Sequence, residues 1–228
     1  MPPNPTGRAH VRPQRKARAR FSKVANARDT IAGFDHTLDV VGLTYGQFSL
    51  LDLIEATLEI TGPADVAIST WSAGFYDVAA AERFRDSGMI NRIRFVMDSS
   101  AKRNQATVGD VTELFGEDSV RATRSHAKFT LIQNDEWDVL ITTSMNLNLN
   151  PRLEQFEMTD DPERAQLFRA FVDEVWTELA AGDTEDRKLP GAHNLDAVQP
   201  DLGIELGTIT GTRKLVGMQR PSIGRDAR

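Results

Sequence analysis

The 228 residues are 40% hydrophobic and contain no cysteine, so a sizeable core is affordable while disulfides and cysteine-ligated zinc are excluded. No apolar run is long enough to span a bilayer. The net charge of −6 is unevenly spread: eight of the 27 basic residues lie in 1–28, where no acid occurs, so the other 200 residues hold 19 bases against all 33 acids.

A basic arm without fixed structure is therefore expected over residues 1–30, rich in Pro, Arg and Ala. It reads either as a segment that meets a polyanion, nucleic acid above all, or as a solvated tail. It lacks the apolar stretch of a secretory signal. Its Arg-rich, acid-poor character resembles an organellar transit peptide, but early prolines and the lack of a leucine face speak against that. A cytoplasmic location is the expectation.

The next elements alternate. Leu50, Ile54 and Leu58 recur at helical spacing, with Leu51 and Leu53 widening the face, and Thr61-Gly62-Pro63 ends the run. Asp65–Trp71 reads as a short buried strand and 76–88 as an Ala-rich helix stopped by Gly88. A strand over 91–98, a helix over 107–116 and a strand over 119–124 follow. Residues 125–133 and 137–144 form two strands joined by Asn134-Asp135-Glu136, a hairpin connection. A long amphipathic helix over 162–182 carries Leu167, Phe171, Val175 and Leu179 four apart, behind the start signal Asp161-Pro162. From 183 to 228 the chain is rich in loops and is read as an extension without its own core, with one strand at most near 207–217. The order predicts an α/β fold with a mixed sheet flanked by helices, and a domain over 31–182.

One stretch concentrates chemistry. In an extended strand, residues two apart share a face, so His126 and Lys128 project together, as do Ser144 and Asn146 at the end of the next strand. The hairpin returns that end beside His126. Imidazole, ammonium, hydroxyl and carboxamide together suit a phosphate, with a nucleophile among the donors. A lone strand histidine is otherwise an ordinary core or surface residue, and Ser and Asn at a strand end also serve turns. The other histidines, His10, His36 and His193, form no ligand pairing, and neither a metal nor a cofactor is expected. Trp71, Phe75 and Tyr76 read either as a stacking surface for bases or as aromatics capping the sheet.

The spacing of His126-Ala127-Lys128, Ser144-Met145-Asn146 and Gln155-Phe156-Glu157 resembles the phospholipase D superfamily, whose motif runs His-x-Lys, four residues, Asp, then Gly-Ser-x-Asn and later Asn-x-Glu. The interval of 13 from Ser144 to Glu157 is similar to that of short bacterial single-motif nucleases. The resemblance covers about residues 46–180 and departs at two positions: Gln133 stands for the Asp and Thr143 for the Gly. It implies a phospholipase D-like fold and metal-independent phosphodiester cleavage. His126 would be the nucleophile. Lys128, Asn146 and Ser144 would hold the non-bridging oxygens, and Glu157 would fix the imidazole tautomer. With one motif per chain, the second histidine implies a homodimer. The alternative is a nucleic-acid-binding or assembly protein on the same fold, with the site degenerate.

Overall fold

The computed structural model describes residues 16–21, 26–71, 78–98, 102–147 and 151–181. In chain order these form β1 (Lys16–Phe21), α1 (Ala27–Ile31), β2 (Leu38–Thr44), α2 (Leu50–Thr61), β3 (Ala64–Thr70), α3 (Val78–Asp86), β4 (Ile90–Asp98), α4 (Lys102–Phe115), β5 (Val120–Thr123), β6 (Phe129–Gln133), β7 (Asp138–Thr143), β8 (Glu154–Asp160) and α5 (Pro162–Glu178). A single 3₁₀ turn, Glu117–Ser119, leads into β5.

The strands make one eight-stranded mixed sheet in the order β1-β2-β8-β7-β6-β3-β4-β5. The β1–β2, β3–β4 and β4–β5 pairs are parallel, and β2–β8, β8–β7, β7–β6 and β6–β3 are antiparallel. The fold is thus α/β with a mixed sheet flanked by helices, as expected. Within the stretch assigned to the arm, the structure places β1 and most of α1. The expected extension 183–228, and Phe75 and Tyr76, lie outside the described residues.

The sheet's two faces are covered unequally. Leu50, Leu53, Ile54 and Leu58 of α2 pack with Phe84 of α3 and Val111 of α4 against Ile68, Ile132, Ile141, Phe156 and Met158. The opposite face, with Ala67, Val96, Phe129, Leu131 and Leu140, is closed by α5 through Val172, Val175, Phe168 and Phe171. Burying such side chains contributes about 1.5–3 kcal/mol each.

Local signals set the helix ends. Ser49 is the N-cap of α2: its hydroxyl accepts from the Asp52 amide at 3.1 Å while the Asp52 carboxylate accepts from the Ser49 amide at 2.6 Å. The helix stops where Gly62 takes φ +75, a conformation that a side chain would strain. Asp161 caps α5 by accepting from the Glu163 and Arg164 amides, and Pro162 fills the first helical position.

The strand predicted over 125–133 begins only at Phe129. Its partner β3 ends at Thr70, so the last ladder pair is Ser69–Phe129. The Ala127 carbonyl accepts instead from the Ser69 hydroxyl at 2.9 Å. His126 and Lys128 therefore stand in the approach to β6, not within it.

Further along β6, Thr130 is wholly buried and its hydroxyl has no hydrogen-bond partner among the described residues. An unmet buried hydroxyl costs about 1–3 kcal/mol. Thr130→Val is expected to raise stability by about 1 kcal/mol, read as a higher urea midpoint at unchanged m-value. A lower midpoint would show that the hydroxyl is satisfied in solution.

Candidate active site

The end of β3, the approach to β6, the end of β7 and the start of β8 meet at one edge of the sheet. Antiparallel pairing of β6 with β7 and of β7 with β8 enforces this. Thr143 donates its amide to the Lys128 carbonyl at 3.2 Å, and Ser144 donates its amide to the Gln155 carbonyl at 3.1 Å. Four of the five residues singled out in the sequence, His126, Lys128, Ser144 and Asn146, lie at this edge.

His126 is exposed, and its ring lies against Trp71, with centroids 5.9 Å apart and planes inclined at 49°. The Lys128 ammonium reaches back toward the His126 carbonyl at 3.4 Å. Partial burial holds the Lys128 amine below its ordinary pKa, and the Glu154 carboxylate opposes that shift. The Ser144 hydroxyl donates to Glu154 and accepts from the Gln155 amide at 3.0 Å. Asn146 presents its amide oxygen to the Thr70 hydroxyl at 3.4 Å.

Glu157 stands apart. It pairs with Thr142 on the face that α5 covers, and its carboxylate accepts from Arg164 at 2.9 Å. The carboxylate at the polar edge is Glu154, which joins Ser144 by a hydrogen bond and Lys128 by charge. Sequence reasoning missed it. The signal was the alternation of Glu154, Phe156 and Met158, which marks a strand whose first residue lies at the end where Ser144 sits.

The two departures from the family pattern both have partners. Gln133 accepts from Arg169 Nε at 2.8 Å and donates to the Asp138 carboxylate at 2.6 Å, and Arg169 also donates to Asp138 at 3.1 Å. A carboxylate on the neighbouring strand thus stands beside the position where the motif has Asp. Thr143 donates its hydroxyl to the Gln155 carbonyl at 2.7 Å and accepts from the Met145 amide at 3.0 Å. It braces the β7–β8 junction.

The roles of the two glutamates can be separated by pH. Loss of Glu154 removes the influence that raises the Lys128 pKa, so deprotonation moves to lower pH. If protonated Lys128 holds a phosphate, Glu154→Gln is expected to shift the alkaline limb of the pH–rate profile downward and to cut turnover about tenfold. Glu157→Gln is expected to act through Arg164 on stability and leave that limb in place. A limb unmoved in Glu154→Gln would show that Glu154 does not tune Lys128.

No family model matches the sequence, and comparison with curated proteins gives no match. Among solved structures, the chain is similar to Nuc from Salmonella typhimurium, a phospholipase D family member (TM-score 0.43, 14% identity, 63% of this chain and 96% of that one). It is similar to NucT from Helicobacter pylori (0.41, 14%, 63% and 99%). It is also similar to polyphosphate kinase from Porphyromonas gingivalis (0.43, 15%), of which it spans 26% while 59% of this chain is covered. Among the described residues no helix is long and apolar enough to cross a membrane.

Proposed function

We propose that the chain is a phospholipase D-like phosphodiesterase acting on nucleic acid. The observation that carries this reading is the meeting of Lys128, Ser144 and Glu154 beside an exposed His126 at one sheet edge. An exposed imidazole two residues from a partly buried ammonium suits attack on a phosphodiester whose negative oxygens the ammonium, hydroxyl and carboxamide hold.

The reaction runs in two displacements. A ring nitrogen of His126 bonds to phosphorus, and the bond from phosphorus to the leaving oxygen breaks. That oxygen takes a proton from a second histidine. Water then gives its proton to the same histidine and bonds to phosphorus as the phosphorus–nitrogen bond breaks, which restores His126. The second histidine is His126 of an identical chain across a two-fold axis. Tyr45 and Leu153, both exposed, extend beyond the Thr44–Glu154 pair at this same edge and offer the apolar surface that a second copy would cover. The substrate class follows from the excess of Lys and Arg in 1–28, which favours a polyanion.

The test is incubation of the full chain with DNA, RNA and a generic phosphodiester in EDTA, alongside His126→Ala. Cleavage that survives chelation and depends on His126 supports the reading. Binding of nucleic acid without cleavage would favour the alternative of a degenerate binding protein. The basic region has its own measurement. Deleting 1–15 is expected to weaken DNA binding and to flatten its dependence on salt, by about one unit of log–log slope for every phosphate left without a cationic partner. An unchanged slope would assign that region another role.

A further inference from the structure

We infer that the end of β3, Ser69-Thr70-Trp71, is the element that positions the site, and that Trp71 sets the orientation of the His126 ring. The inference rests on the phosphodiesterase reading for its consequence, but its geometry is independent of it. Three consecutive residues each hold a different part of the polar edge. The Ser69 hydroxyl, itself fully buried, donates to the Ala127 carbonyl at 2.9 Å and fixes the backbone between His126 and Lys128. The Thr70 hydroxyl, also fully buried, donates to Asn146 at 3.4 Å. The Trp71 ring leans on the His126 imidazole.

The need for such an element follows from how His126 stands among the described residues. It stands outside the regular strand and is exposed, so neither a ladder nor the core selects its rotamer. Glu157, the carboxylate that the family resemblance would assign to hold the ring, accepts from Arg164 instead. An aromatic neighbour within the range of ring–ring attraction, about 4.5–7 Å between centroids, restricts the imidazole plane while leaving its edge open to a phosphate. Trp71 is accordingly a positioning residue, acting through His126. Because β3 lies mid-sheet between β6 and β4, it is a rigid base for that task.

The experiment uses the full chain with ¹³C-labelled histidine, the His126 resonance being assigned from its loss in His126→Gln. The His126 Hε1 resonance is expected to be displaced by the indole ring current. It should move toward the free imidazole position in Trp71→Ala and stay displaced, to a lesser extent, in Trp71→Phe. In turnover, Trp71→Ala is expected to lose about tenfold in kcat with little change in KM, and Trp71→Phe to recover most of it. A His126 resonance identical in wild type and Trp71→Ala would overturn the inference. So would full activity of Trp71→Ala in an active enzyme. If the wild type cleaves no phosphodiester, the functional reading fails, and the resonance comparison alone decides whether Trp71 orients the ring.

Discussion

His126→Ala is expected to lose at least about a thousandfold in phosphodiester turnover while folding normally, as befits removal of a nucleophile. The imidazole is the group that would bond to phosphorus, and neither Lys128 nor Ser144 replaces it: the Lys128 ammonium is turned to the His126 carbonyl, and the Ser144 hydroxyl is committed to Glu154. The fold should not notice the change, because the side chain is exposed and touches Trp71 rather than the core. A surface truncation of this kind usually stays within about 0.5 kcal/mol. Thermal unfolding and turnover measured on one preparation separate the effects. A variant that melts early and is inactive would point to a structural histidine. One that melts normally and cleaves normally would remove His126 from the chemistry.

The largest effect on stability is expected from Gly42→Ala, about 3 kcal/mol. Gly42 lies within β2 and faces Phe156 across the β2–β8 ladder. A Cβ there would fall inside the space of the Phe156 ring. The ring has nowhere to withdraw: Phe156 is fully buried and packs edge-on against Phe48, with centroids 6.1 Å apart. Relief would require β2 and β8 to separate, and β8 carries Glu154 into the polar edge. The damage should therefore reach the site. Urea unfolding gives the measurement, and Gly42→Ala combined with Phe156→Leu should regain part of the loss, because the two residues share one space. A change under about 0.5 kcal/mol would mean that the strands can part at little cost.

Much of this architecture is written plainly in the chain. The α2 and α5 patterns repeat apolar residues at helical spacing and carry their own N-caps, so their existence and starts follow from local chemistry, whereas α5 stops at Glu178, short of the expected 182, with Leu179 already extended. β3 is a short, almost wholly buried run, while β4 is apolar and buried only over Phe95–Met97, where it lies between β3 and β5. β2 and β8 were harder to read. In β8, EQFEMTD, only Phe156 and Met158 stand out among polar residues, and its status as a strand comes from its place between β2 and β7. That is a tertiary fact, visible only once the sheet order is known. β1 likewise takes its strand form from pairing with β2, in a stretch whose composition alone reads as an unstructured arm.

The site divides in the same way. That His126, Lys128, Ser144 and Asn146 would meet could be expected because each sits at or beside a strand end with a recognisable spacing. Glu157 was assigned from an interval along the chain, but strand alternation turns it to the α5 face and Arg164. Glu154, three residues earlier, reaches the polar edge. Gln133 and Thr143 look like losses in a one-dimensional pattern. In three dimensions Asp138, on the strand beside Gln133, brings a carboxylate to that position, and Thr143 ties two strands together. Only Thr143 stands at the polar edge; Gln133 lies at the opposite end of β6, against Asp65 and Asp138.

On the proposed mechanism His126 bonds to phosphorus in a site shared by two chains. The most direct measurement is to mix the full chain with a phosphodiester substrate in EDTA, quench under denaturing alkaline conditions that preserve phosphohistidine, and map the adduct by peptide mass spectrometry. A phosphoryl-bearing group is expected on His126, on no more than about half of the chains, because one nucleophile acts per two-fold site. Cleavage without any adduct on His126, or an adduct on every chain, would contradict it.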